Sequence, residues 1–212
     1  MQANIKVAVI GGTGKAGKYL VKQLLTKHIP VKLLQRVNTS EQEDNPLIEV
    51  ISGDARDYDT ILQLLNDCNA VISTIGQTAG EAPIFSTVTA NVLRAMEHLG
   101  IRRYIVATGL NVDTPYDDKG PKTKFGTEWM YQNYPKTTSD KQIEYELLIA
   151  SNADWTLVRL PMIQQTDELP EITTSLYDCP GDFISASSLG RWMIAQLDND
   201  EFVKQAPFIA NK

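Results

Sequence analysis

Residues 7–17 read VAVIGGTGKAG, a short β-rich run that ends in a cluster of glycines. Gly11, Gly14 and Gly17 are spaced G-x-x-G-x-x-G, and Gly12, Gly14 and Gly17 also satisfy G-x-G-x-x-G. In a strand-turn-helix cradle for a dinucleotide, the first glycine permits the tight turn out of the strand. The middle one lets backbone amides approach a pyrophosphate with no Cβ in the way, and the last lets the helix pack close to the sheet. The context matches: residues 5–10 form the strand, and residues 16–27 place Tyr19, Leu20, Val21 and Leu24 at helical spacing. The helix that begins near Lys15 then points unpaired N–H groups and a positive dipole end at the phosphates, with Thr13 and Ala16 completing the loop.

Outward from this turn, strands alternate with helical stretches, which is the pattern of a parallel sheet covered on both faces. Pro30 stops the first helix, and residues 31–34 make the next strand. A polar loop over 36–46 leads to a strand at 48–51, then to the turn GDARD at 53–57. There Asp57 is placed to cap a helix carrying Ile61, Leu62, Leu64 and Leu65. Strands at 70–74, 104–107 and 155–160 alternate with helices at 88–99 and 142–150, and Ser185 is placed to cap a last helix at 186–197. The expectation is one doubly wound α/β domain, a Rossmann NAD(P)-binding fold over residues 1–212. Two segments, 111–138 and 162–183, break the rhythm after the carboxyl end of a strand, where open α/β sheets bind ligands. They are the expected substrate walls.

Bulk composition narrows the function classes. The 212 residues are 42% hydrophobic and 22% charged, ordinary globular values for a chain able to bury one core. A net charge of −6 and the lack of any basic run argue against direct nucleic-acid binding. Cys68 and Cys179 share no C-x-x-C spacing and no partner histidine, so reduced thiols are expected rather than a metal or redox site. The sequence shows no signal-like segment and no apolar stretch of membrane-spanning length, and the expected compartment is the cytoplasm. His28 and His98 each sit near a helix C-terminus, where an imidazolium suits the dipole, and neither needs a catalytic role.

The end of the second strand bears on the coenzyme. An NAD-binding enzyme commonly places an Asp or Glu there for the ribose 2′-hydroxyl, whereas this chain has Gln35 and Arg36. A guanidinium can bind a 2′-phosphate bidentately, with Thr39 and Ser40 as further hydroxyl donors, so NADP(H) is preferred and NAD(H) remains possible. The alternative is an exposed arginine at a loop entrance.

The runs GGTGKAG (11–17), GDARD (53–57), TIG (74–76) and SNADWTLVRLP (151–161) resemble the atypical short-chain dehydrogenase/reductase group that includes the NmrA-like proteins and the biliverdin/flavin reductases. The resemblance covers nearly the whole chain in order. It implies that Asp54 and Ala55 contact the adenine edge and that Ser73, Thr74, Ile75 and Gly76 line the adenosine side of the groove. Taken alone, Asp54 can instead cap its turn through an Asx hydrogen bond. Members that run full carbonyl chemistry combine a Ser or Thr with Y-x-x-x-K, the lysine lowering a phenol pKa that is ordinarily about 10. Here Lys141 falls at the lysine position, Thr137 stands where the tyrosine is expected, and the fifth strand ends in Thr108 and Gly109. The resemblance implies that Lys141 binds the nicotinamide ribose, that Thr108 and Lys141 are the catalytic candidates, and that Pro161 and Met162 pass close to the carboxamide. The alternative for Lys141 is a solvated helix lysine.

Without that tyrosine, epimerase or dehydratase chemistry on sugar nucleotides is disfavoured, but hydride transfer to a small flat acceptor is not, since the proton can come from water. The expectation is an NADPH-dependent reductase of a flavin, quinone or similar acceptor, working as a monomer or homodimer. Trp129, Tyr131 and Tyr134 are candidate stacking partners, with ordinary packing as the alternative. Two other readings stay open: an NmrA-like redox sensor that binds dinucleotide without turnover, and a protein whose coenzyme is structural.

Overall fold

The computed structural model describes residues 5–36 and 45–212, so Thr39 and Ser40 lie outside the described residues. Val7–Ile10 (β1) is a fully buried strand whose side chains alternate between two cores: Val7 and Val9 face one, Ala8 and Ile10 the other. The glycine turn leads into Gly17–Thr26 (α1), which buries Leu20, Val21 and Leu24. Val31–Gln35 (β2) and Ile48–Ser52 (β3) then extend the sheet in one direction, in the parallel registers Val7↔Val31 and Val31↔Ile48. Tyr58–Leu65 (α2) carries the chain back, opened by Asp57, whose carboxylate accepts from the Thr60 N–H at 2.9 Å.

Ala70–Ser73 (β4) returns to pair with the other side of β1, followed by Phe85–Leu99 (α3) and Arg103–Gly109 (β5). Pro121–Asn133 (α4) and Pro135–Ala150 (α5) precede Asp154–Leu160 (β6), and then come Met162–Gln164 (β7), Ile172–Ser175 (β8) and Phe183–Ser185 (β9). Ala186–Ala195 (α6), capped by Ser185 through the Ser188 N–H, and Phe208–Asn211 (β10) complete the chain. The main sheet runs β3-β2-β1-β4-β5-β6-β10-β8, parallel except for the antiparallel β10–β8 pair. β7 and β9 form a separate parallel pair. One face is covered by α2, α3 and α5, the other by α1 and α6. The strand order reverses between β1 and β4, and open α/β sheets bind ligands at that crevice.

The structure corrects the sequence reading in the two irregular segments. Residues 111–138 contain α4 and the first turn of α5, each opened by a proline at a position where its missing N–H does no harm. Residues 162–183 contribute β7, β8 and the first residue of β9, and β10 adds a strand beyond the last expected helix. Arg159 shows how the late elements are tied together. Fully buried on β6, its guanidinium stacks on Phe208 with 3.5 Å to the ring centroid and pairs with Asp117 at 2.7 Å. It also donates to the carbonyls of Ala206 (2.7 Å) and Leu176 (3.2 Å). Each of these bonds gives a desolvated charge a partner, which a buried ion requires.

Candidate functional site

At the β1–β4 crevice lies a cleft of about 810 Å³, within the range of small-molecule sites. Its floor is the glycine turn. Gly11 has φ +78°, and a Cβ there would stand 2.8 Å from the Thr74 carbonyl and the Ile75 nitrogen, so the backbone of β4's continuation lies against the turn. Gly14 donates to the Gly11 carbonyl at 3.0 Å, and a Cβ at Gly17 would run into that same carbonyl oxygen. No side chain caps α1 and its first turn holds no acidic residue, which suits an anion there, although the Lys18 and Tyr19 amides already donate to the Gly14 and Ala16 carbonyls at 3.2 and 3.1 Å. Gly11, Thr13, Gly14, Lys15 and Ala16 line the cleft, whereas Gly12 and Gly17 lie behind it as packing positions, Gly12 against Leu33, Val21 and Val9.

The cleft extends in two directions from the turn. Towards β2 the cleft is lined by Arg36, Asp54, Ala55, Thr74, Ile75 and Gly76; Ser73 is buried at the end of β4, outside the lining. Asp54 makes the Asx contact, accepting from the Arg56 N–H at 2.8 Å, and also an ion pair with the Arg56 guanidinium at 2.6 Å. That guanidinium holds the Asp54 carboxyl below its ordinary value. Arg36 is exposed at the loop entrance, and it is also engaged. It pairs with Glu81 at 2.7 Å and donates to the Thr78 hydroxyl at 3.2 Å. Gln35 is buried beside it, with an unpartnered Oε1.

Towards β5 and β6 the cleft is lined by Thr108, Gly109, Lys141, Leu160, Pro161 and Ile163. Thr108 is buried, lines the cleft, and its hydroxyl has no partner among the described residues. Lys141 sits on α5 next to Asp140, whose carboxylate accepts the Phe85 N–H at 2.8 Å and so ties α5 to the start of α3. Its Nζ stands 4.9 Å from the Phe85 ring centroid and 3.5 Å from where a Gly109 Cβ would be. Lys141 is half-buried against the cleft, and burial lowers its ammonium pKa, with the Glu144 charge opposing, so it is not a fully solvated helix lysine. Glu144, one turn along α5 and buried, accepts from the Thr89 hydroxyl at 2.9 Å and leaves its other oxygen unpartnered. Its burial pushes the carboxyl up to about 7.

No residue of 111–138 lines the cleft, and Ile163 is the contribution from 162–183. Trp129, Tyr131 and Tyr134 are exposed, the first packing on the third at 5.7 Å between centroids, so packing within their own segment describes them and stacking in the cleft does not. Thr137 also lies outside the lining. The sequence reading missed Arg56, Gln77, Thr78, Glu81 and Ile163 in the lining and Glu144 behind it. Residues 75–84 follow the carboxyl end of β4, the one available signal for that loop. Both cysteines are free, and burial raises Cys68 to about 11, far from a reactive thiol. Among the described residues no cluster suits a metal ion, and no helix is long and apolar enough to cross a membrane.

This geometry agrees with what the chain resembles among known proteins. An isoflavone reductase homolog of Nicotiana tabacum is 30% identical over 119 residues, which is 51% of this chain and 36% of that one. A phenylcoumaran benzylic ether reductase of Betula pendula is 27% identical over 135 residues, 58% of this chain and 42% of that one. The chain thus spans about a third of the length of several curated relatives it matches. Among solved structures, an anaerobilin reductase of Escherichia coli superposes with a TM-score of 0.79 at 18% identity, covering 97% of both chains. A short-chain dehydrogenase/reductase of Veillonella parvula in complex with NADP superposes at 0.77 and 17% identity, covering 98% of this chain and 94% of that one. These structures share the fold. A family model described as NAD(P)H-binding matches residues 11–200, nearly the whole chain, and the protein belongs to that NAD(P)H-binding family.

Proposed function

We propose that the chain is an NADPH-dependent reductase of a small planar acceptor such as a flavin, a quinone or a tetrapyrrole. The observation that carries this reading is the single cleft running from Arg36, across the glycine turn, to the Thr108 hydroxyl, which has no partner among the described residues, and the half-buried Lys141. The glycine turn would hold a diphosphate through the amides of Thr13, Lys15 and Ala16, Arg36 would hold a 2′-phosphate, and Asp54, Ala55 and Thr74 to Gly76 the adenosine. Thr108 and Lys141 would orient the far ribose, with Pro161 beside the carboxamide. When bound, NADPH supplies a hydride; the chain's part is to position it and exclude water from its path. No phenol lines the cleft, so the acceptor would take its proton from solvent. The free thiols fit a reducing compartment, and we read the cytoplasm as its place of work.

The missing phenol also favours the second reading, a sensor that binds dinucleotide without turnover. Following the near-ultraviolet absorbance of NADPH against a panel of flavins, quinones and tetrapyrroles separates the two. Acceptor-dependent consumption is expected, while saturable coenzyme binding with no consumption by any acceptor would establish the sensor instead.

A further inference from the structure

The Arg36 end of the cleft contains a feature that a plain 2′-phosphate pocket would lack, a carboxylate lodged between two guanidinium groups. Glu81 Oε1 lies 2.7 Å from Arg36, and Glu81 Oε2 lies 4.0 Å from Arg56. The loop that carries it is braced from behind: the Gln77 amide donates to the Glu81 carbonyl at 2.8 Å, and the Glu81 N–H donates to the Thr78 carbonyl at 3.2 Å. With Asp54 on Arg56, two positive and two negative side chains cancel, so the pocket offers no net charge to an incoming anion. The arrangement nevertheless has the form of a phosphate site, because one group presents its two oxygens to two guanidinium forks while the Thr78 hydroxyl stands 3.2 Å from Arg36.

Resting on the NADPH reading above, we infer that Glu81 is an internal anion holding the place of the coenzyme's 2′-phosphate, that Arg56 is the second guanidinium of that subsite, and that Glu81 therefore limits how strongly NADPH is preferred over NADH. Its side chain is one-third exposed (33%) and that of Arg36 half exposed (55%), so their ion pair is weak and solvent-screened, and an arriving phosphate can displace it by turning Glu81 outward. The phosphate then meets both arginines and Thr78, but it does so against the residual repulsion of the displaced carboxylate.

The test is to titrate the wild-type chain, Glu81→Gln and Arg56→Gln with NADPH, NADH, 2′,5′-ADP and 5′-ADP at low and high salt. Removing the carboxylate charge should tighten NADPH and 2′,5′-ADP by about three- to tenfold, leave NADH and 5′-ADP within about twofold, and have a smaller effect in high salt. Arg56→Gln should weaken the two 2′-phosphorylated ligands alone. An unchanged NADPH:NADH ratio in Glu81→Gln overturns the assignment while leaving the reductase reading intact. Weakened NADH binding also overturns it, since Glu81 would then be accepting from a ribose hydroxyl. Failure of the wild-type chain to bind either coenzyme would remove both readings together. The substituted residues are surface groups, and unchanged circular dichroism and thermal midpoints confirm that the variants are folded.

Discussion

At the Arg36 end of the cleft, Arg36, Arg56, Asp54 and Glu81 are each between one-third and roughly half exposed and neutralise one another in pairs. At the opposite end Glu144 is buried and Lys141 half-buried; burial lowers the amine's pKa and raises the carboxyl's. The same two kinds of charge thus meet opposite conditions within one groove. Exposed pairs are screened by salt, exchange partners cheaply and tolerate substitution. Buried charges feel one another through a poorer dielectric, and their protonation follows their surroundings. On the proposed reading, one end would recognise the coenzyme and the other would set the electrostatic field where a reaction runs.

The largest effect is expected where the two ends meet. Gly17→Ala would drive a Cβ into the Gly11 carbonyl, so dinucleotide binding should weaken by about a hundredfold or more and the melting temperature should fall. Calorimetric titration with NADPH and a thermal melt would check both, and retained affinity would mean that the turn is not what joins the ends. Next comes the buried end. Lys141→Met should lower kcat with any active acceptor by about ten- to a hundredfold while changing the Kd of NADPH by less than about threefold. The reverse split would make Lys141 a binding residue like Arg36. Arg36→Ala should weaken NADPH by about tenfold at low salt and NADH by less than about twofold, with the difference shrinking as salt is added. Equal losses for both coenzymes would erase the contrast between the ends.

The smallest effect is a pH dependence. The Glu144 carboxyl is raised from its ordinary 4.5 to about 7 in the folded chain, so the fold binds that proton more tightly than the unfolded state does. Its stabilising contribution is complete below about 4.5 and is lost as pH climbs through about 7. Glu144→Gln should match the wild type near pH 5 and melt about 2–4 °C higher near pH 8, because the amide never ionises. The substitution also removes the Glu144 charge that favours the Lys141 ammonium, which opposes this gain and keeps the difference small. Parallel melting curves across this range would show that Glu144 ionises without penalty.

How much of this was readable in advance depended on whether local chemistry or distant packing decided each part. The glycine turn, the Asp57 and Ser185 caps and the β-branched runs of β1 and β6 are local signals, and the structure has them where the residues predicted. By contrast α4 buries Thr123 and Thr127 while exposing Phe125 and Trp129, so no apolar stripe announces a helix. β8 and β10 are four-residue strands without flanking turn glycines, and they exist because they pair with each other and β10 pairs with β6. In the cleft, Arg36 was legible from its place at the end of the second strand, and Lys141 and Thr108 from the family resemblance; all three line it. Glu81 and Glu144 were not legible, because their importance comes from a partner 45 residues away in one case and 55 in the other.

Strand β10 lies between β6 and β8, although β8 is made more than thirty residues earlier. During synthesis from the amino end, therefore, Ile172–Ser175 has no neighbour to join until Phe208–Asn211 emerges, and the Arg159 guanidinium waits just as long for its aromatic cover. The nascent chain can assemble its coenzyme cradle from the first strands while the far edge of the sheet is still open. A stop codon placed just before Phe208 would leave a ribosomal product with a formed glycine turn, an unpaired strand and a buried cation stripped of its lid.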